Sequence, residues 1–177
     1  YGNKETSTAT RVIAEHARAS TFLINDGVMP SNEGRGYLLR RLIRRAYRFG
    51  RALGLQEPFL HKLAPAVVEG MKGGYPELVS AEETITEVIA REEARFQETL
   101  EDGLVLLTKA LDAMKAKGET TLSGTEAFKL YDSNGFPLDL TRELAAEAGF
   151  NVDEEGFKAE MEAQRTRSRF AGHEDLD

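Results

Sequence analysis

The 177-residue sequence contains no cysteine. That excludes a disulfide scaffold, a thiolate zinc site, an iron–sulfur cluster and a cysteine nucleophile. No apolar run approaches the roughly 18 residues a membrane-crossing helix needs. The first ten residues are polar and lack an apolar h-region, so they do not form a signal peptide, and Tyr1 is not an initiator methionine. A piece of a longer protein is therefore expected. No run of alternating β-branched residues marks a strand, and no internal repeat is evident. Gly34-Arg35-Gly36 is not a Walker loop, and no G-x-G-x-x-G follows a strand, so nothing marks an ATP site. His16, His61 and His173 lie far apart, and no catalytic set is visible around them. His16 is expected to be a hydrogen-bonded structural histidine, and the other two to lie on the surface.

The most informative absence is acid. Between Glu33 and Glu57 there is none, yet Arg35, Arg40, Arg41, Arg44, Arg45, Arg48 and Arg51 all fall there. Average sequences carry about a quarter of their residues as charges of mixed sign. The formal net charge of −7 hides this. Residues 1–60 hold ten Lys/Arg against five Asp/Glu, whereas residues 61–177 hold thirteen against twenty-five. Such asymmetry between halves points to a polyanionic partner.

What is present is helical periodicity almost throughout. A first helix is predicted over Thr8–Ile24, stopped by Asp26-Gly27. A second runs over Glu33–Leu53, with Ser31 or Asn32 as cap and Gly54 as stop. A third covers Phe59–Met71, and the longest covers residues 80–116, with Gly103 marking a bend or a close contact. Gly118–Gly124 reads as a loop, Thr125–Tyr131 as a short helix, and Asp132-Ser133-Asn134-Gly135 as a turn. Two further helices cover Leu138–Ala148 and Asp153–Phe170. The predicted fold is all-α: an irregular helical bundle built around one long helix, forming a single domain over 1–177 with frayed ends at 1–8 and 171–177.

On a wheel advancing about 100° per residue, the arginines of the second helix from Arg40 to Arg51 occupy an arc of about 0–140°. Leu39, Leu42, Ile43, Ala46, Phe49 and Leu53 occupy about 180–300°. One face is a core stripe and the other a guanidinium strip without a compensating acid in its own helix. Like charges at i,i+4 cost a few tenths of a kcal/mol each. A plain solvated face, paired with acids from the other half, is the simpler reading. Exclusive use of Arg favours planar, bidentate recognition of phosphate. Glu82-Glu83 and Glu92-Glu93 have the spacing of a solvated helix face.

Two polar sites stand beside turns. Asn32 in Pro30-Ser31-Asn32-Glu33-Gly34-Arg35-Gly36 is by composition a helix cap, and Asp132 in Tyr131-Asp132-Ser133-Asn134-Gly135-Phe136-Pro137 a cap or turn residue. Phe136 and Pro137 read as core packing and helix entry.

Several long motifs, in order, then carry a family resemblance. Arg11-Val-Ile-Ala-Glu-His16, the run from Phe22 through Asn32-Glu-Gly-Arg-Gly to Ala46, Glu92-Glu-Ala-Arg-Phe96, Ala127-Phe-Lys-Leu-Tyr-Asp132, Gly135-Phe-Pro-Leu-Asp-Leu-Thr141 and Met161-Glu-Ala-Gln-Arg165 resemble alanyl-tRNA synthetases over residues 9 to 169. Glu15 stands where that family usually has Asp, and Ser133-Asn134 where Thr-Tyr is common. The resemblance implies the helical tRNA-recognition region that follows the class II catalytic domain. It places ATP, Mg and alanine binding before Tyr1, and the editing domain with its zinc after Asp177. The segment itself would need no cofactor and would not form alanyl-adenylate alone. Its implied partners are the tRNA(Ala) acceptor stem and the catalytic and editing domains of the same chain, in the cytoplasm, with neither membrane nor DNA. By motif position the resemblance puts base readout of a G·U wobble pair on Asn32 and Asp132, and the RNA backbone would fall to Arg35, Arg40, Arg41, Arg44, Arg45, Arg48 and Arg51. A helical protein-interaction module without RNA specificity, or a DNA-binding helical domain, are the alternatives the residues alone allow.

Overall fold

The structure is a computed structural model that describes residues 4–174, with side chains described as far as Ser168. Its elements are α1 (Lys4–Asn25), α2 (Gly34–Ala52), a 3-10 turn (Leu60–Leu63), α3 (Ala64–Met71), α4 (Glu77–Lys117), β1 (Thr121–Leu122), α5 (Gly124–Asn134), α6 (Leu138–Glu147), β2 (Asn151–Val152) and α7 (Glu154–Glu174). The chain divides into two compact units, Tyr1–Gln97 and Glu98–Asp177.

In the first unit, α1 and α2 pack through the apolar stripes their periodicity marks. Ile13, Ala17 and Ile24 of α1 and Leu39, Ile43 and Ala46 of α2 are buried, together with Leu60, Val68, Ile85 and Ile89. Burying each Leu or Ile contributes roughly 1.5–3 kcal/mol. The loop before α2 is pressed onto the helix at Gly36, where a Cβ would lie 2.4 Å from the Met29 carbonyl oxygen and 2.1 Å from Ser31 Oγ. Only a glycine permits that approach, and it fixes the loop that carries Asn32. The predicted third helix divides in two. Its first turn, Leu60–Leu63, is 3-10, and α3 begins at Ala64 with a proline in its first turn.

In the second unit, Gly124 and Gly156 bring α5 and α7 together: a Cβ at Gly124 would lie 2.2 Å from the backbone of Gly156 and Phe157. Phe128, Tyr131 and Phe157 pack around the contact with ring centroids 5.6–6.1 Å apart. Gly103 of α4 is a close contact, not a bend. Its missing Cβ leaves room for the fully buried Phe136 ring, 2.4 Å from where that carbon would be.

The all-α expectation is corrected. β1 and β2 pair in parallel, with Thr121 opposite Asn151 and Leu122 opposite Val152. Asn151 N–H donates to the Thr120 carbonyl and Asp153 N–H to that of Leu122, both at 2.9 Å. The stretch read as the loop Gly118–Gly124 thus contains a strand. A two-residue strand is too short to show alternation. The expected turn at 132–135 is also corrected. Asp132, Ser133 and Asn134 belong to the last turn of α5, which Gly135 closes at φ 64°. Residues 4–8 and 171–174 of the expected frayed ends are helical; 1–3 and 175–177 lie outside the described residues.

Candidate nucleic-acid interface

Helix α2 carries the arginine face, but the face is graded. Arg35 is exposed, Arg40, Arg41, Arg45, Arg48 and Arg51 are partly buried, and Arg44 is only 3% exposed. Arg44 Nε donates to Glu92 Oε1 at 2.8 Å, and its guanidinium lies 5.0 Å from the centre of the Phe96 ring. Arg40 Nε sits 3.0 Å from the same Glu92 oxygen. Burial pushes the Arg44 pKa below its ordinary value, and the Glu92 carboxylate opposes that shift. The expectation of a strip without a compensating acid is therefore corrected at Arg44. A buried guanidinium requires a carboxylate partner, and α4 supplies it from 48 residues away, beyond any reading of one helix. Arg45 stacks over Phe49 at 5.4 Å, and Arg51 donates to the Gln56 side chain at 2.8 Å.

Asn32 is exposed and does not cap α2, whose cap residue is Glu33 without a side-chain cap bond. Instead, Arg40 Nη1 donates to Asn32 Oδ1, tying the loop amide to the arginine face. Asp132, likewise exposed, accepts a 2.7 Å hydrogen bond at Oδ1 from Gln164 Nε2 of α7. Asn32 belongs to the first compact unit and Asp132 to the second.

Three groups escaped the sequence reading. Glu92 and Glu93 are not on a solvated face; they are 5% and 0% exposed. Glu93 accepts from the backbone N–H groups of Phe59, Leu60 and His61 at 2.7–3.1 Å and lies 2.8 Å from His61 Nδ1, which is why the chain tightens into a 3-10 turn there. His61 is thus a buried-carboxylate partner, not a bare surface residue. Two exposed arginines of α4, Arg91 and Arg95, join Arg40 around a cavity of about 220 Å³. The signal for the acids was an adjacent acidic pair in the chain's second half facing an acid-free run in the first. For Gln164 the sequence offered only its place in the Met161–Arg165 motif. His16 is half-buried in α1 with no hydrogen-bond partner at Nε2, so it is structural but not hydrogen-bonded there. Burial lowers its pKa below 6.5, Arg45 and Arg41 lower it further, and Glu15 opposes them. The His173 side chain lies outside the described ones.

The family model described as tRNA synthetases class II (A) matches residues 1–176. The chain belongs to that family. It is 52% identical over 169 residues to the alanine–tRNA ligase of Oleidesulfovibrio alaskensis, covering 96% of this chain and 19% of that protein. It is 53% identical over 172 residues to that of Pediococcus pentosaceus (97% and 20%) and 52% identical over 178 residues to that of Carboxydothermus hydrogenoformans (100% and 20%). The chain thus spans about a fifth of the length of these curated relatives. The expected placement after the class II catalytic domain is corrected. The class II model itself runs through residues 1–176, so the segment is a helical part of that catalytic region and not a module following it. Among the described residues no helix is long and apolar enough to cross a membrane.

Proposed function

We propose that this segment reads the acceptor stem of tRNA(Ala) for an alanine–tRNA ligase, so that the whole cytoplasmic enzyme attaches alanine to the correct tRNA using ATP. The observation that carries this reading is the coupling of an exposed amide, Asn32, through Arg40 to a helix, α2, that holds seven arginines and no acid. Guanidiniums of that face grip phosphates and set register, while amide and carboxylate side chains inspect base edges. Arg35, Arg40, Arg41, Arg45, Arg48 and Arg51 take the backbone role. Arg44, sealed by Glu92, holds α2 in place for them.

The base chemistry suits the two readers. RNA's minor groove is wide and shallow and displays base edges. In a G·U wobble pair the guanine 2-amino group has no pairing partner and projects into that groove. A carboxylate accepts from it; with Oδ1 held by Gln164, Asp132 meets it through Oδ2. An amide donates to uracil O2, and Arg40 orients the Asn32 amide for that contact by donating to its Oδ1. The other domains of the same protein supply the remaining chemistry. Among the described residues no group of three His, Cys, Asp or Glu is placed to hold a metal.

The test is aminoacylation by the full-length protein of acceptor stems carrying G·U or G·C. Asn32→Ala and Asp132→Ala should each cost about 1–3 kcal/mol of discrimination, roughly 5- to 160-fold, with thermal stability retained. Full preference for G·U in both variants would contradict the assignment.

A further inference from the structure

The cavity beside the Asn32 loop has a chemistry the α2 face does not explain. It is about 220 Å³ and is bounded by Arg40 of α2 and by Arg91, Glu92 and Arg95 of α4. Met29, Pro30 and Val88 form its apolar wall. Three cations therefore line it against one acid. That acid is already committed, because Arg40 and Arg44 both approach the same Glu92 oxygen. Arg91 is exposed and makes no hydrogen bond or ion pair among the described residues. Arg91 and Arg95 sit at i,i+4, where like charges repel by a few tenths of a kcal/mol. An apolar wall lowers the local dielectric and strengthens attraction for an incoming anion. Size selects the anion: pockets for drug-sized ligands measure roughly 300–1,000 Å³, so this smaller cavity suits a single phosphate group.

We propose that the cavity is a phosphate-binding pocket that takes one phosphodiester of the RNA strand lying against Asn32. This rests on the acceptor-stem reading above and adds Arg91 and Arg95, on a second helix, to the contacts assigned there. Arg40 links the two events. Its guanidinium lines the pocket and also donates to Asn32 Oδ1, so a phosphate seated between Arg40 and Arg91 holds the amide in its reading position. The guanidinium fork provides paired donors to two phosphate oxygens, which a lysine ammonium does not match.

Titration of full-length protein with an acceptor-stem microhelix, at several salt concentrations, tests this. Arg91→Ala and Arg95→Ala should each reduce the slope of log K against log salt by about 0.7–0.9. Both should weaken binding of G·U and G·C stems, and the G·U stem more, because the seated phosphate steadies Asn32 through Arg40. Arg91→Lys should keep the slope while losing part of the affinity. Slopes equal to the parent's in both alanine variants overturn the pocket; if Asn32→Ala still abolishes G·U preference in that case, the stem reading survives alone. If Asn32→Ala and Asp132→Ala keep the preference while Arg91→Ala lowers the slope, the pocket stands as an RNA phosphate site and the stem reading fails. Binding by the parent that does not respond to salt overturns both.

Discussion

At the scale of single residues, one carboxylate organises the arginine face. Glu92 is 5% exposed and meets Arg44, 3% exposed, and the partly buried Arg40 through one oxygen. Removing one partner of a buried pair leaves the other charge without compensation, at a cost of about 3–5 kcal/mol. Glu92→Ala should therefore lower the denaturant midpoint by that equivalent, whereas Arg35→Ala, on an exposed side chain, should leave it within about 0.5 kcal/mol. Equal midpoints for Glu92→Ala and the parent would show that the pair does not anchor α2. This residue marks a limit of reading one helix at a time. The wheel separates the cationic and apolar arcs of α2, yet cannot find an acid on another helix, and so it assigned Arg44 to the surface. The same limit hid Glu93.

At the scale of elements, the long helices were legible because a period of 3.6 repeats over many turns. Local chemistry set the parts that were not. Pro65, in the first turn of α3, and Glu93, accepting three backbone N–H groups, convert the start of the expected third helix into a 3-10 turn. Glu93→Ala leaves those buried donors without their acceptor and should destabilise the fold by about 2–4 kcal/mol. Amide exchange at Phe59, Leu60 and His61 should quicken first; unchanged protection there would argue against the anchoring role. The packing of α1 on α2 adds a pH dependence. The unfolded chain binds the His16 proton near 6.5, and the folded chain binds it only at lower pH, because of burial and then Arg45. Between those two values the unfolded state holds more protons, so stability falls as pH drops below about 6.5. A thermal series from pH 7.5 to 5.5 should show a shallower decline for His16→Gln than for the parent, and identical declines would contradict this.

At the scale of the whole molecule, the excess of acid outside residues 1–60 gives a negative chain with one basic face. Net charge alone disfavours a nucleic-acid partner; its distribution favours one. Asn32 and Asp132 stand out as proposed readers only through motif position, since composition made both of them helix caps or turn residues. The structure gives each a different local role: Asn32 is held by Arg40, and Asp132 by Gln164. On the proposed function, Asn32 and Asp132 both inspect one base pair. A double-mutant cycle measures it most directly, as the G·U over G·C ratio of kcat/KM in the full-length protein. Asn32→Ala and Asp132→Ala should each lose roughly 5- to 160-fold, and their combination should lose less than the product, because both would act on the same pair. Retention of the parent's ratio in both single variants would contradict it.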